Sequence, residues 1–171
     1  MTVAAPAPRI GQPQIHGAFA LTDHHGRAVS NRSFGDKLLL VFFGFTHCRR
    51  VCPRKLTELS EALAGLGDRA EAIQPLYITV DPERDTPDVM RTYLASYPHF
   101  TGLTGSRAQI DEVRQRFRVF ARRVAAPDET GAYDVPHTAV TYLIDNEGRC
   151  RAHVLDGIPV PELTGVLRKL L

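Results

Sequence analysis

Two thiols four residues apart carry the strongest chemical signal in this chain. They stand in Phe45-Thr-His-Cys48-Arg-Arg-Val-Cys52-Pro53, directly after an apolar run, and α/β sheets place their sites at such strand exits. Four residues along a helical path rise roughly 6 Å, which brings both sulfurs within reach of one ion. The same separation falls within the Cα spacing of disulfides, about 4.4–6.8 Å. Spacing alone leaves metal binding and thiol redox chemistry both open. A helix starting near Cys52 and the cationic Arg49 and Arg50 each favour thiolate, which is both the nucleophile and the soft-metal ligand. Two thiolates suit Cu(I), and an added imidazole makes a three-coordinate site that also takes Cu(II), whereas zinc ordinarily wants a fourth ligand.

The elements that must hold these thiols follow from periodicity. Lys37 to Phe43 is a continuous apolar run of strand length, the pattern of a strand covered on both faces. Pro53 is tolerated in a first helical turn, and Leu56, Leu59, Leu63 and Leu66 follow at helical spacing before Gly67. Pro75 to Val80 reads as the next strand; Asp85-Thr86-Pro87 then caps a helix carrying Val89, Met90, Tyr93 and Leu94, with Asp81, Arg84 and Asp85 bracing it. Ser106 and Gln109 form a capping box for a helix with Ile110, Val113 and Phe117 on one face.

Upstream, Ala18 to Leu21 and Arg27 to Val29 flank the turn Asp23-His24-His25-Gly26, a hairpin with both histidines on a solvated tip. Downstream, Val119 to Val124 and Tyr133 to His137 make a second hairpin around the loop 126–131. Thr138 to Ile144 and Arg149 to Leu155 pair around Asp145-Asn-Glu-Gly148, with Cys150 a buried filler, and Leu163, Val166, Leu167 and Leu170 line a closing helix. The expected order β-α-β-α-α-β-β-α, parallel strands first and antiparallel strands after, is an α/β layered sheet.

With 21 basic and 19 acidic side chains the formal charge is +2, so no global field points to nucleic acid or an anionic membrane. Three cysteines are too few for a disulfide framework. Residues 1–14 are Pro/Ala-rich and read as a flexible spacer, and residues 15–171 as one domain. The start has neither a basic n-region nor an apolar h-region, and no stretch reaches the ~18 apolar residues of a membrane span.

Five ordered landmarks resemble the Sco/SenC family: Gly44-Phe-Thr-His-Cys48, the Cys-x-x-x-Cys-Pro ending at Pro53, Val80-Asp-Pro-Glu-Arg-Asp-Thr-Pro87, Gly102-Leu-Thr-Gly105, and Tyr133-Asp-Val-Pro-His137 before a Tyr-Leu-Ile-Asp strand. The resemblance runs from about Ala18 to the C-terminus. It implies a thioredoxin-like fold, a central mixed β-sheet flanked by helices, with an N-terminal hairpin and an inserted hairpin before the site histidine. It also implies that Cys48, Cys52 and His137 bind copper, as Cu(I) or Cu(II), for the CuA centre of cytochrome oxidase. The implied protein is a metallochaperone rather than a turnover enzyme. It is a monomer and extracytoplasmic (periplasmic), any membrane anchor lies outside these residues, and its partner is a copper-accepting oxidase subunit. Two positions depart from the family pattern: Arg50 stands where an acidic residue is usual, and Pro136 where an aspartate precedes the histidine.

The rival is a thiol-disulfide oxidoreductase using Cys48 and Cys52 as catalytic thiols on a partner disulfide, including cysteines of the copper-accepting subunit. Its usual Cys-x-x-Cys spacer is one residue shorter, and Pro136 lies several residues before the Tyr142-Leu-Ile strand core. A peroxiredoxin signature wants proline seven and Thr or Ser three residues before the cysteine. Phe45 and Arg49 occupy those places relative to Cys52, and Val41 and Phe45 relative to Cys48. His47 adjoins Cys48 but follows a strand and points elsewhere, so it is left out of the ligand set.

Overall fold

The computed structural model describes residues 15–48, 51–125, 133–137 and 139–171. The expected spacer 1–14, Arg49, Arg50 and the loop 126–131 lie outside them.

The apolar run becomes a strand, Leu38–Gly44, buried throughout. Its alternating side chains supply two cores. Leu39, Val41 and Phe43 enter one cluster with Ile110, Val113 and Phe117; Leu38, Leu40 and Phe42 enter another with Leu56, Leu59, Leu63, Met90, Leu94, Leu163 and Leu167. This period-2 alternation between two covered faces explains why the sequence shows no polar positions there. Burying each Leu or Phe side chain stabilises by about 1.5–3 kcal/mol, so the strand is firmly fixed.

In chain order the strands are β1 (Ala20–Asp23), β2 (Ala28–Ser30), β3 (Leu38–Gly44), β4 (Ile73–Thr79), β5 (Thr101–Thr104), β6 (Val124–Ala125), β7 (Tyr133–Asp134), β8 (Val140–Ile144) and β9 (Cys150–Leu155). The helices are α1 (Val51–Ala64), α2 (Pro87–Leu94), α3 (Arg107–Phe117) and α4 (Val160–Leu170). Seven strands form one mixed sheet in the order β2-β1-β5-β4-β3-β8-β9. β3 runs parallel to β4 and antiparallel to β8, and β4 runs parallel to β5. Helices α1, α2 and α4 cover one face and α3 the other. This is the expected mixed sheet flanked by helices.

Both expected hairpins form. β1 and β2 pair antiparallel, and β1 also zips onto β5, so the first hairpin extends the sheet. β6 and β7 pair as a short ribbon of their own. The stretch expected as extended from Val119 to Val124 is mostly irregular; Ala121 bridges to His137, the Arg122 amide donates to the Pro136 carbonyl, and Val124 opens β6. The expectation of two helices in direct succession is corrected: β5 lies between α2 and α3. Its Thr-Gly-Leu-Thr sequence carries one large apolar residue, and it is a strand because β4 and β1 hold both its edges. The capping devices read from sequence are present. Thr86 accepts from the Val89 amide with Pro87 opening α2, and Ser106 and Gln109 make the reciprocal box of α3.

Candidate metal centre

The end of β3 sets the floor of the site. The chain leaves Gly44, buries Phe45, and turns back so that the Cys48 amide donates to the Phe45 carbonyl at 3.1 Å. A buried carboxylate anchors this turn. Asp85 accepts from the Thr46 amide at 3.0 Å, from the Thr46 hydroxyl at 2.5 Å and from the Thr79 hydroxyl at 2.7 Å. Burial raises its pKa while these three donors pull it down, and burial prevails. The expected helix brace is thus only part of Asp85's role: its side chain reaches back across the fold to the loop that presents Cys48. Asp81 pairs with Arg84, and that guanidinium lies 5.9 Å over the Phe45 ring, closing the same turn from outside.

Cys52 sits in the first turn of α1 and is fully buried, whereas Cys48 is half-buried. The two side chains are in hydrogen-bonding contact. The Cys52 thiol is pushed well above its usual range, first by its hydrogen bond with Cys48, then by burial, and against smaller lowerings by the Phe45 backbone and the Tyr77 hydroxyl. At Cys52 this opposes the lowering expected from a helix start. Loss of water and the neighbouring sulfur outweigh the helix terminus at Cys52, so an incoming reagent meets Cys48 first. Arg49 and Arg50, expected to aid both, are outside the described residues.

His137 reaches the same strand end from the other side of the chain. The Ala121 bridge fixes its backbone, and its ring meets Phe45 edge-on with centroids 5.8 Å apart. Its Nε2 lies 2.9 Å from the Phe43 carbonyl and its Nδ1 2.9 Å from the Val135 carbonyl. A neutral imidazole has one N–H, so it donates to only one of them. With the proton on Nε2 the ring donates to Phe43; once Nε2 is freed and the proton sits on Nδ1, the Val135 carbonyl accepts it, a role backbone carbonyls commonly play beside ligating histidines. The donor atoms of Cys48, Cys52 and His137 are not all within 4.8 Å of one another. Two touching sulfurs and a nearby imidazole fit a soft ion by donor type. Ligation by Nε2 requires its release from Phe43.

Among the described residues one other trio comes together: His47, Asp81 and Asp85 offer atoms within 4.8 Å of one another. Its carboxylates are already engaged by Arg84, Thr46 and Thr79, and the exposed His47 contacts the Thr46 hydroxyl at 3.3 Å. Cys150 is a half-buried filler packed on the α3-side core, its thiol raised by burial. His24 departs from the solvated-tip expectation, since its Nδ1 accepts from the Gly102 amide at 2.8 Å and pins β5. Sequence reasoning missed Tyr77, which lies against Cys52, and the long reach of Asp85. Neither carries a local pattern, because each contact is made across strands.

A family model described as SCO1/SenC matches residues 7–171. A SCO2-like protein of Rickettsia felis is 39% identical over 148 residues, covering 85% of this chain and 72% of that protein. The structure of Bradyrhizobium japonicum ScoI with copper bound superposes with a TM-score of 0.82 at 42% identity, covering 92% of this chain and 99% of that one. A more distant structure, BsSco, shares the fold at 22% identity and a TM-score of 0.68, covering 91% of this chain and 92% of its own; it is described by a disulfide switch and as one of the Sco family of cytochrome c oxidase assembly proteins. A match over nearly the whole length, with these relatives, shows that the chain belongs to the SCO1/SenC family.

Proposed function

We propose that this chain holds copper through Cys48, Cys52 and His137 and hands it to a cytochrome oxidase subunit during assembly of the CuA centre. The observation that carries this reading is that both cysteines, which pack on one core beside β3, and His137, whose Nε2 lies 2.9 Å from the Phe43 carbonyl, stand at the exit of the same strand. Copper bound to the similar ScoI supports the ion. Thiolates from both cysteines retain Cu(I), and the imidazole extends the site to Cu(II). Transfer proceeds by ligand exchange, with the half-buried Cys48 the sulfur open to an incoming ligand. The work is extracytoplasmic. No helix among the described residues is long and apolar enough to cross a membrane.

Copper titration of the reduced protein beside Cys48→Ala, Cys52→Ala and His137→Ala tests this, read by stoichiometry and thiolate-to-copper absorption. Both cysteine variants are expected to lose the absorption and His137→Ala to weaken Cu(II) more than Cu(I). Undiminished binding in all three sinks the assignment.

The contact between the sulfurs favours a second reading, thiol-disulfide exchange. Cys48 attacks a partner disulfide, Cys52 resolves the mixed disulfide, and the partner leaves as a dithiol with the two electrons and two protons the pair gives up. Turnover of a disulfide substrate that persists in His137→Ala and vanishes in Cys48→Ala selects this reading.

A further inference from the structure

Tyr77 is the largest fully buried side chain among the described residues. It stands in β4 opposite Phe42 of β3 and Gly102 of β5, and its ring stacks on Tyr93 with centroids 5.8 Å apart. Its hydroxyl is buried with no well-aligned hydrogen-bond partner. A buried polar group left so is costly, and phenylalanine would fill the same space without that cost.

The direction of the hydroxyl is given by Gly44. A Cβ on Gly44 would lie 2.5 Å from the Tyr77 hydroxyl oxygen and 2.8 Å from the Cys52 sulfur. Both atoms therefore converge on the gap that a side chain at Gly44 would fill. A neutral thiol is a weak acceptor. A thiolate is a strong acceptor, and metal ligation requires the thiolate.

We propose that the Tyr77 hydroxyl donates a hydrogen bond to the Cys52 sulfur when that sulfur ligates a metal, making Tyr77 a positioning residue that tunes the ligand. The proposal rests on the reading of Cys52 as a copper ligand. A phenol keeps its proton at neutral pH, so the donor is present. Hydrogen bonding draws electron density from a ligating sulfur, which raises the energy of thiolate-to-metal charge transfer and shifts the copper potential.

Tyr77→Phe removes the hydroxyl and keeps the ring. Tyr93→Phe is the control, because its hydroxyl is also buried without an aligned partner and its ring stacks on Tyr77, whereas it is the Tyr77 hydroxyl that faces Gly44 together with the Cys52 sulfur. Each protein is loaded with Cu(II) and, separately, with Cd(II), a soft probe that thiolates bind whatever the cargo is. At unchanged stoichiometry, Tyr77→Phe is expected to move both charge-transfer bands to lower energy and the copper potential to more negative values, with Tyr93→Phe close to wild type. Bands unmoved in Tyr77→Phe, or moved equally in Tyr93→Phe, overturn the proposal. Wild type that binds Cd(II) but not copper overturns the copper reading instead, and the Cd(II) band then decides the role of Tyr77 alone. Failure to bind either ion overturns both.

Discussion

Replacing Asp85 with alanine and with asparagine separates its hydrogen bonding from its charge. Alanine removes the acceptor for the Thr46 amide and for two hydroxyls. The Thr79 hydroxyl already accepts from the Asp81 amide, so it keeps one partner, but the Thr46 N–H is orphaned at about 1–3 kcal/mol, and a small void adds to that. A total loss of about 2–4 kcal/mol is expected. Asparagine keeps the volume. Its carbonyl takes the Thr46 amide and the Thr79 hydroxyl, its NH2 donates to the Thr46 oxygen, and the loss stays within about 1 kcal/mol.

The charge adds a pH signature. Burial places the folded pKa of Asp85 above its unfolded value, so the folded state binds the proton more readily. Wild-type stability relative to Asp85→Asn therefore rises as pH falls through the folded pKa and levels off below the unfolded value of about 3.9. Urea unfolding of the three proteins from neutral to acidic pH reads both effects. Copper titration at neutral pH should show weaker binding for alanine alone, since only alanine frees the Thr46 turn that presents Cys48. An alanine cost below about 1 kcal/mol, an asparagine cost equal to it, or a gap that moves the opposite way with pH refutes the reasoning.

Gly44→Ala drives a methyl between Cys52 and Tyr77, so it should cost about 1–3 kcal/mol in urea unfolding and abolish the thiolate-copper band; a stable variant with the native band contradicts the packing described. His24→Ala removes the acceptor of the Gly102 amide, about 0.5–1.5 kcal/mol. Burial first, and His25 next, depress the His24 pKa. Its contribution is thus present above the unfolded value of about 6.5 and lost as pH falls through the folded one. The urea midpoints of wild type and His24→Ala should converge in acid, and parallel pH profiles would disprove it.

Much of the frame was legible because it is locally encoded. The run from Leu38 to Phe43 has no polar break and could only be a strand covered twice, and Leu56, Leu59 and Leu63 mark α1 by spacing alone. Thr86, Pro87, Ser106 and Gln109 announce helix starts within four residues of chain. What failed depends on distant partners. β5 has little strand character of its own and is made by β1 and β4. The Asp-Thr-Pro run before α2 advertises a cap, which Thr86 supplies, while Asp85 serves a turn 39 residues away. The paired sulfurs were readable from spacing and location, but their unequal burial was not, since it depends on how α1 seats against β3. His137 was visible only through the family's motif order, as nothing in the neighbouring sequence distinguishes it from a histidine in any loop.

The contact between His137 Nε2 and the Phe43 carbonyl gives the imidazole somewhere to return. An ion at that nitrogen displaces a bond of about 0.5–1.5 kcal/mol, which lowers affinity by up to about tenfold. When the ion departs, the nitrogen is not stranded beside an apolar strand end but falls back onto β3. Such a resident competitor lessens the tightest grip while smoothing the exit, the property wanted in the copper carrier we propose.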